Sequence, residues 1–430
     1  MITRIEAQNY RCFESVAVPL DAFRIIAGSN GSGKTTLLDI PVLLGDLLRA
    51  RNVAAAFLER LPQRGPRATS LGELSFRGQQ HSFVLAVEAK LPQRHAQALG
   101  NAAPKAVQSD PARLPTHLRY ELRLTVHDGR QLEVESEYLF AFAAGQAYEE
   151  RRLPVQGEST EQQDWRFIIR RDHVHDAAAS AVSLTPELAD AIQRETQIDR
   201  TRLALTRLEL EPPAEFGAGR WLLEHLQTGA VFFDPNWATL RRASPPGLPK
   251  PLMSSGENLP WLILRLQNQD PEQFADWVAH VRTALPQVVS IELREREEDH
   301  HVYFRVGYEG GFEVTSSGLS EGTLRILALT SLAYVPDPPQ LLVVEEPENS
   351  IHPQATEAIM LSLRSLYDSQ VLVSTHSPVV LADSELEELL ITRLGRNGGA
   401  QVLTGPSHPR LATWKGGIDL GSLFAAGVFE

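Results

Sequence analysis

The chain has 430 residues, 43% of them apolar and 22% charged, which suits a sizeable buried core and excludes a disordered chain. Its one cysteine, Cys12, excludes an internal disulfide framework and a cysteine-based zinc cluster. A net charge of −13 argues against a protein that coats nucleic acid or a membrane through its bulk field, and leaves only a local basic groove for such a partner.

In chain order, residues 2–7 alternate as a strand and residues 23–27 form a short β-rich run. The loop Gly28-Ser29-Asn30-Gly31-Ser32-Gly33 follows, and an apolar helical pattern runs from 35 to about 48. Pro41 falls in the early turns of that helix and need not break it. Residues 82–89 alternate as a strand, and the Pro- and Ala-rich stretch 91–115 reads as a long surface loop. Residues 118–126 and 131–140 are alternating runs joined through Asp128-Gly129, a hairpin signal. Residues 184–230 look helical from their leucine spacing, and the proline-rich 234–256 reads as loop. Helices are expected over 259–267 and 271–284, and strands over 288–294 and 301–306. Ser320 caps a helix reaching about 334, and a helix covers 354–366. The apolar strand 341–344 is closed by Glu345-Glu346-Pro347, and a last buried strand, 371–375, ends at His376.

No run approaches the roughly 18 apolar residues of a spanning helix. The first ten residues, with Arg4, Glu6 and Asn9, lack the apolar segment of a signal peptide. A reducing, cytoplasmic location without membrane association is therefore expected.

Residues 28–35 match G-x-x-x-x-G-K-[ST], between a β-run and a helix. Glycines there let the backbone N–H groups of Asn30, Gly31, Ser32, Gly33, Lys34, Thr35 and Thr36 curl around phosphate oxygens, aided by the positive end of the following helix. Lys34 supplies a point charge for the β- and γ-phosphates of ATP, and the Thr35 hydroxyl a ligand for Mg²⁺. The carboxylates at 345 and 346 end a buried strand where doubly wound sheets bind ligands. Adjacent strand residues point to different sides, so Glu345 suits the metal and Glu346 the attacking water. His376 stands at a corresponding strand end.

With Leu319-Ser320-Glu321-Gly322-Thr323 and Ser374-Thr375-His376-Ser377-Pro378, these segments resemble the Walker A, signature, Walker B and switch-histidine motifs of ATP-binding-cassette ATPases. Asn9-Tyr10-Arg11-Cys12-Phe13, Gly256-Glu257-Asn258-Leu259 and Glu345-Glu346-Pro347-Glu348-Asn349-Ser350-Ile351-His352-Pro353 are similar to the RecF/SMC-like branch, close to the ATPase half of OLD-family nucleases. The resemblance implies an α/β P-loop NTPase with a mixed sheet covered by helices on both faces, plus an inserted α+β arm. The expected divisions are 1–90 and 231–385 for the two parts of the core, 91–230 for the arm and 386–430 for an extension. It also implies a head-to-tail homodimer sandwiching two ATP molecules, with Ser320 and Gly322 reaching the partner's nucleotide. Residues 349–352 would cross the interface as a D-loop, and Arg11 would lie near the nucleotide. Glu345 stands where many relatives have aspartate. Gln79 and Gln80 are candidates for the Q-loop glutamine.

OLD-type nucleases carry an acidic D-x-D cluster after the switch histidine, and no D-x-D occurs in this chain. The expectation is an ATPase without its own nuclease, controlling a separately encoded nuclease or toxin in phage defence. The alternative is a RecF-like ATPase of DNA repair, which requires a basic groove of Arg151, Arg152, Arg166, Arg170 and Arg171. A transporter cassette is disfavoured by the long insertion, and a GTPase by the lack of N-K-x-D. His173, His175, His300 and His301 read as solvated or strand-end residues rather than metal ligands.

Overall fold

The computed structural model describes residues 1–60, 65–79, 81–145, 165–172, 179–188, 192–414 and 416–430. The chain forms two compact units, residues 1–21 with 40–228 and residues 22–39 with 229–430.

The first unit is built on an eight-stranded antiparallel sheet. Its order is Phe13–Pro19, Ile2–Tyr10, Ser82–Lys90, His117–His127, Gln131–Phe142, Arg166–Arg171, Ala179–Leu184 and Arg194–Asp199. Strands on both sides of the expected boundary at 90 and 91 are therefore neighbours in one sheet. The Asp128-Gly129 hairpin forms: both residues have positive φ, and Arg130 N–H donates to His127 O at 2.9 Å.

Two stretches differ from the sequence reading. Residues 91–115 contain helices Gln93–Asn101 and Lys105–Gln108, because Pro92 and Pro104 stand immediately before them rather than inside. Among the described residues of 184–230, only Gly217–Gln227 is α-helical. Arg194–Asp199 is a strand that owes its state to pairing with Ala179–Leu184, and Ala204–Glu209 is a 3₁₀ turn.

Among the described residues, the arginines expected to form a groove do not assemble one. Arg171 is completely buried, donates to Arg202 O at 2.8 Å and Ser180 Oγ at 3.1 Å, and lies 3.8 Å from buried Glu137. Arg166 donates to Leu188 O at 2.9 Å, and exposed Arg170 pairs with Asp172 at 2.8 Å. Burying a guanidinium against carbonyls and a carboxylate removes it from any nucleic-acid surface. Arg151 and Arg152 lie outside the described residues, as do His173 and His175.

The second unit carries a six-stranded mixed sheet in the order Ala230–Phe233, Leu341–Glu345, Gln370–Thr375, Phe23–Ala27, Leu389–Leu394 and Ala400–Thr404. The first five strands are parallel and the last antiparallel. Ile25, Val344, Val373 and Ile391 face a core shared with helices Leu259–Gln269, Pro271–Ala284, Glu321–Ser331 and Pro353–Arg364. Their alternating neighbours Ile26, Val343, Leu372 and Leu390 are equally buried, so these strands are covered on both faces and carry no polar alternation. The expected boundary at 385 and 386 separates Leu389–Leu394 from the sheet that this strand completes. A smaller antiparallel sheet joins Val288–Glu295, Val302–Tyr308 and Phe312–Thr315. Among the described residues, no helix is long and apolar enough to cross a membrane.

Candidate functional site

Strand register assembles the site. Glu345 lies opposite Ser374, Ser374 opposite Ile26, and Thr375 opposite Ala27. Three chain segments thus leave the carboxyl edge of the sheet at one level: residues 28–35, the turn after Glu345, and the turn at His376. That edge is where parallel sheets hold ligands.

Gly31 and Gly33 of the loop have φ of 78° and 99°, conformations that an L side chain disfavours. Gly28 is required for a different reason. A Cβ there would lie 2.2 Å from Thr392 Oγ1, so the loop rests directly on the strand Leu389–Leu394. Ser32 Oγ reaches the same Thr392 hydroxyl at 2.6 Å. Lys34 opens the helix Lys34–Arg49, which continues through Pro41. Its buried ammonium donates to Gly28 O at 2.8 Å and Ser29 O at 3.1 Å. Burial lowers its pKa, and the Glu346, Glu345 and Glu348 carboxylates oppose that shift. Asn30 and Gly31 are exposed at the loop's tip, while Thr36 is half-buried in the first helical turn.

Thr35 Oγ1 donates to Glu345 Oε1, bringing together the hydroxyl and carboxylate that suit Mg²⁺. Both are hard oxygen donors, so the residues present fit that ion. Glu346 is held from both sides. His376 Nδ1 lies 2.9 Å from its Oε1, off the line of a hydrogen bond, and Asn349 Nδ2 donates to its Oε2 at 2.7 Å. Its N–H bonds Ser374 O at 3.0 Å, and its φ of 45° is a left-handed conformation rare for glutamate.

Sequence reasoning missed Glu348. Its Oε1 accepts from Thr375 Oγ1 at 2.5 Å and from His376 N–H at 3.4 Å. Its Oε2 is buried and, among the described residues, has no hydrogen-bond partner. Burial pushes its pKa up, and the Thr375 hydrogen bond opposes the rise. A raised carboxyl pKa adds stability below the ordinary value of 4.5, and that stability is lost as pH rises through the folded-state value. Glu348→Gln is therefore expected to melt above wild type at neutral pH, with the gap closing as pH falls toward 4.5. Melting curves over that range check it; an equal or lower melting temperature at neutral pH would refute it.

Ser320 is the N-cap of Glu321–Ser331, its Oγ accepting from Thr323 N–H at 3.1 Å. Gly322 abuts the turn after Glu346: a Cβ there would stand 3.2 Å from Ser350 O. Neither residue contacts residues 28–35 among the described hydrogen bonds and close approaches. Asn349, expected at an interface, donates to Glu346 Oε2 within its own chain. His352 caps the helix Pro353–Arg364.

Arg11 belongs to the first unit, where its guanidinium donates to Arg67 O and borders a pocket with Glu73 and Arg77. Cys12 is half-buried in the adjoining turn. Gln79 ends a short 3₁₀ turn, and Gln80 lies outside the described residues. His300 Nδ1 pairs with Glu295 Oε1 at 2.7 Å. Among the described residues, no group of three or more His, Cys, Asp or Glu could hold a metal ion.

A family model described as "AAA domain, putative AbiEii toxin, Type IV TA system" matches residues 23–382. The OLD nuclease of Thermus scotoductus (strain ATCC 700910 / SA-01) is 44% identical over 48 residues, which is 11% of this chain and only 9% of that protein. Among solved structures, the SmcHead bound to the C-winged helix domain of ScpA is similar, with a TM-score of 0.53 and 13% identity over 94% of this chain and 97% of that one. At that identity the likeness shows the fold, that of an SMC head.

Proposed function

The chain belongs to this AAA-domain family and is an ATPase of the SMC/RecF/OLD-like cassette type; on that premise we propose that it hydrolyses ATP as a conformational switch in a head-to-tail homodimer. One observation carries the reading. Lys34, Thr35, Glu345, Glu346 and His376 converge at one sheet edge, with Thr35 on Glu345 and His376 on Glu346.

The backbone N–H groups of residues 30–36 and the Lys34 ammonium bind the triphosphate and orient its γ-phosphorus. Mg²⁺, when held by Thr35 and Glu345, neutralises charge on the β- and γ-phosphates. Glu346 Oε1 takes a proton from the attacking water. The new P–O bond forms as the bond to the β–γ bridging oxygen breaks, yielding ADP and phosphate. His376 orients Glu346 and the γ-phosphate.

In this reading Ser320, which caps the signature helix, and Gly322, which abuts the turn after Glu346, complete the nucleotide site of the partner. A subunit that closes on ATP and opens after hydrolysis has conformation as its output. The reading extends to control of a separate effector, a nuclease or toxin, in phage defence; what the family description supports is the coarser toxin–antitoxin context. A DNA-repair clamp is less favoured, because Arg166 and Arg171 are spent on internal carbonyls.

Mixing separately inactive Ser320→Arg and Lys34→Ala proteins tests the shared site. Each mixed dimer keeps one intact composite site, so statistical mixing should restore roughly a quarter of wild-type turnover. Zero turnover despite mixed dimers proven by mass would count against head-to-tail sharing.

A further inference from the structure

A second cationic site lies beside the signature helix. A pocket of about 420 Å³ is bounded by Arg241, Arg242, Arg296, Tyr303, Thr315 and Ser317. The fold assembles it through an isolated antiparallel bridge. Ser244 N–H donates to Val302 O at 2.7 Å and Val302 N–H to Ser244 O at 2.9 Å, which sets residues 241–243 against the small three-stranded sheet.

Three arginines therefore line one concavity in a chain of net charge −13. Among the described residues, neither Arg241 nor Arg242 forms an ion pair with a carboxylate; Arg296 meets Asp299 at 3.1 Å. The Thr315 and Ser317 hydroxyls, 3.1 Å apart, belong to residues of the same lining. Planar arginine forks with hydroxyl donors suit phosphate oxygens, and half-buried Tyr303 in the same lining adds an aromatic side chain of the kind that stacks on a base. The volume is that of a small-ligand pocket. Exposed Glu297, Glu298 and Asp299 flank Arg296, so an extended polyanion crossing the rim meets like charge, whereas a compact one inside does not.

We propose that this pocket binds a compact phosphate-bearing ligand, a nucleotide or its pyrophosphate group, and that occupancy is communicated to the signature helix. Arg241 is the connection. Its Nη1 donates to Leu319 O at 2.9 Å, immediately before the N-cap Ser320. A ligand that draws this guanidinium away releases the carbonyl that fixes the helix start. Ser316 anchors the same turn, its Oγ accepting from Phe304 N–H at 2.8 Å.

The test uses full-length Lys34→Ala protein, so that the phosphate loop does not contribute, titrated calorimetrically with pyrophosphate and with ADP. One saturable site is expected. Arg242→Ala with Arg296→Ala should weaken it at least about tenfold, and the paired lysine substitutions should weaken it less, because charge remains while the fork geometry is lost. Melting curves of each variant establish that it is folded. No saturable binding, binding unchanged by the alanine pair, or binding of duplex DNA alone would overturn the assignment.

Discussion

Glu346→Gln is expected to bind ATP and fail to turn it over, with hydrolysis falling about 10²–10⁴-fold. Glutamine keeps the length of the side chain and an oxygen for Asn349, which donates to Oε2 at 2.7 Å in the wild type. It cannot accept the proton of the attacking water. The loss should appear in turnover rather than affinity, because the phosphate-binding groups lie on residues 28–35 and are untouched. A second consequence follows from the dimer. If hydrolysis opens it, the variant should accumulate as an ATP-bound dimer resolved by size-exclusion chromatography. Phosphate release in a single turnover reads the first effect directly. Normal release would remove Glu346 from the role of base.

The legibility of this site in the amino-acid sequence follows from what each part depends on. Residues 28–35 were readable because their chemistry is local: the glycine conformations, the lysine and the hydroxyl lie within eight consecutive positions. The carboxylates and His376 were readable because buried parallel strands announce their ends. Thr392 was not, since its contact with Gly28 depends on Leu389–Leu394 lying beside Phe23–Ala27, a matter of strand order that no local pattern encodes. Glu348 was passed over for a related reason. In sequence it is one more acidic residue in a short run, and only the neighbouring strand's Thr375 makes it an internal carboxylate. Arg166 and Arg171 show the converse error. Charge placed them on a surface, and sheet pairing put Arg171 in the interior.

Lys34→Ala is expected to abolish measurable ATP binding in the micromolar range, for three additive reasons. The ammonium is the positive charge offered to the β- and γ-phosphates, and charge-assisted hydrogen bonds are worth about 1.5–3 kcal/mol each. Losing one such bond lowers affinity about 10- to 150-fold, and the second phosphate contact multiplies that loss. The ammonium also shapes the loop. It donates to Gly28 O and Ser29 O, tying together the turn that aims the N–H groups inward. Removing it further unbalances the local charge, because Glu345, Glu346 and Glu348 all act on Lys34 and would then face a triphosphate with no lysine between them. Titration with a fluorescent ATP analogue, beside a melting curve proving the variant folded, decides the matter. Affinity kept within about threefold of wild type would mean that the phosphates bind elsewhere, and the assignment of residues 28–35 would fall with it.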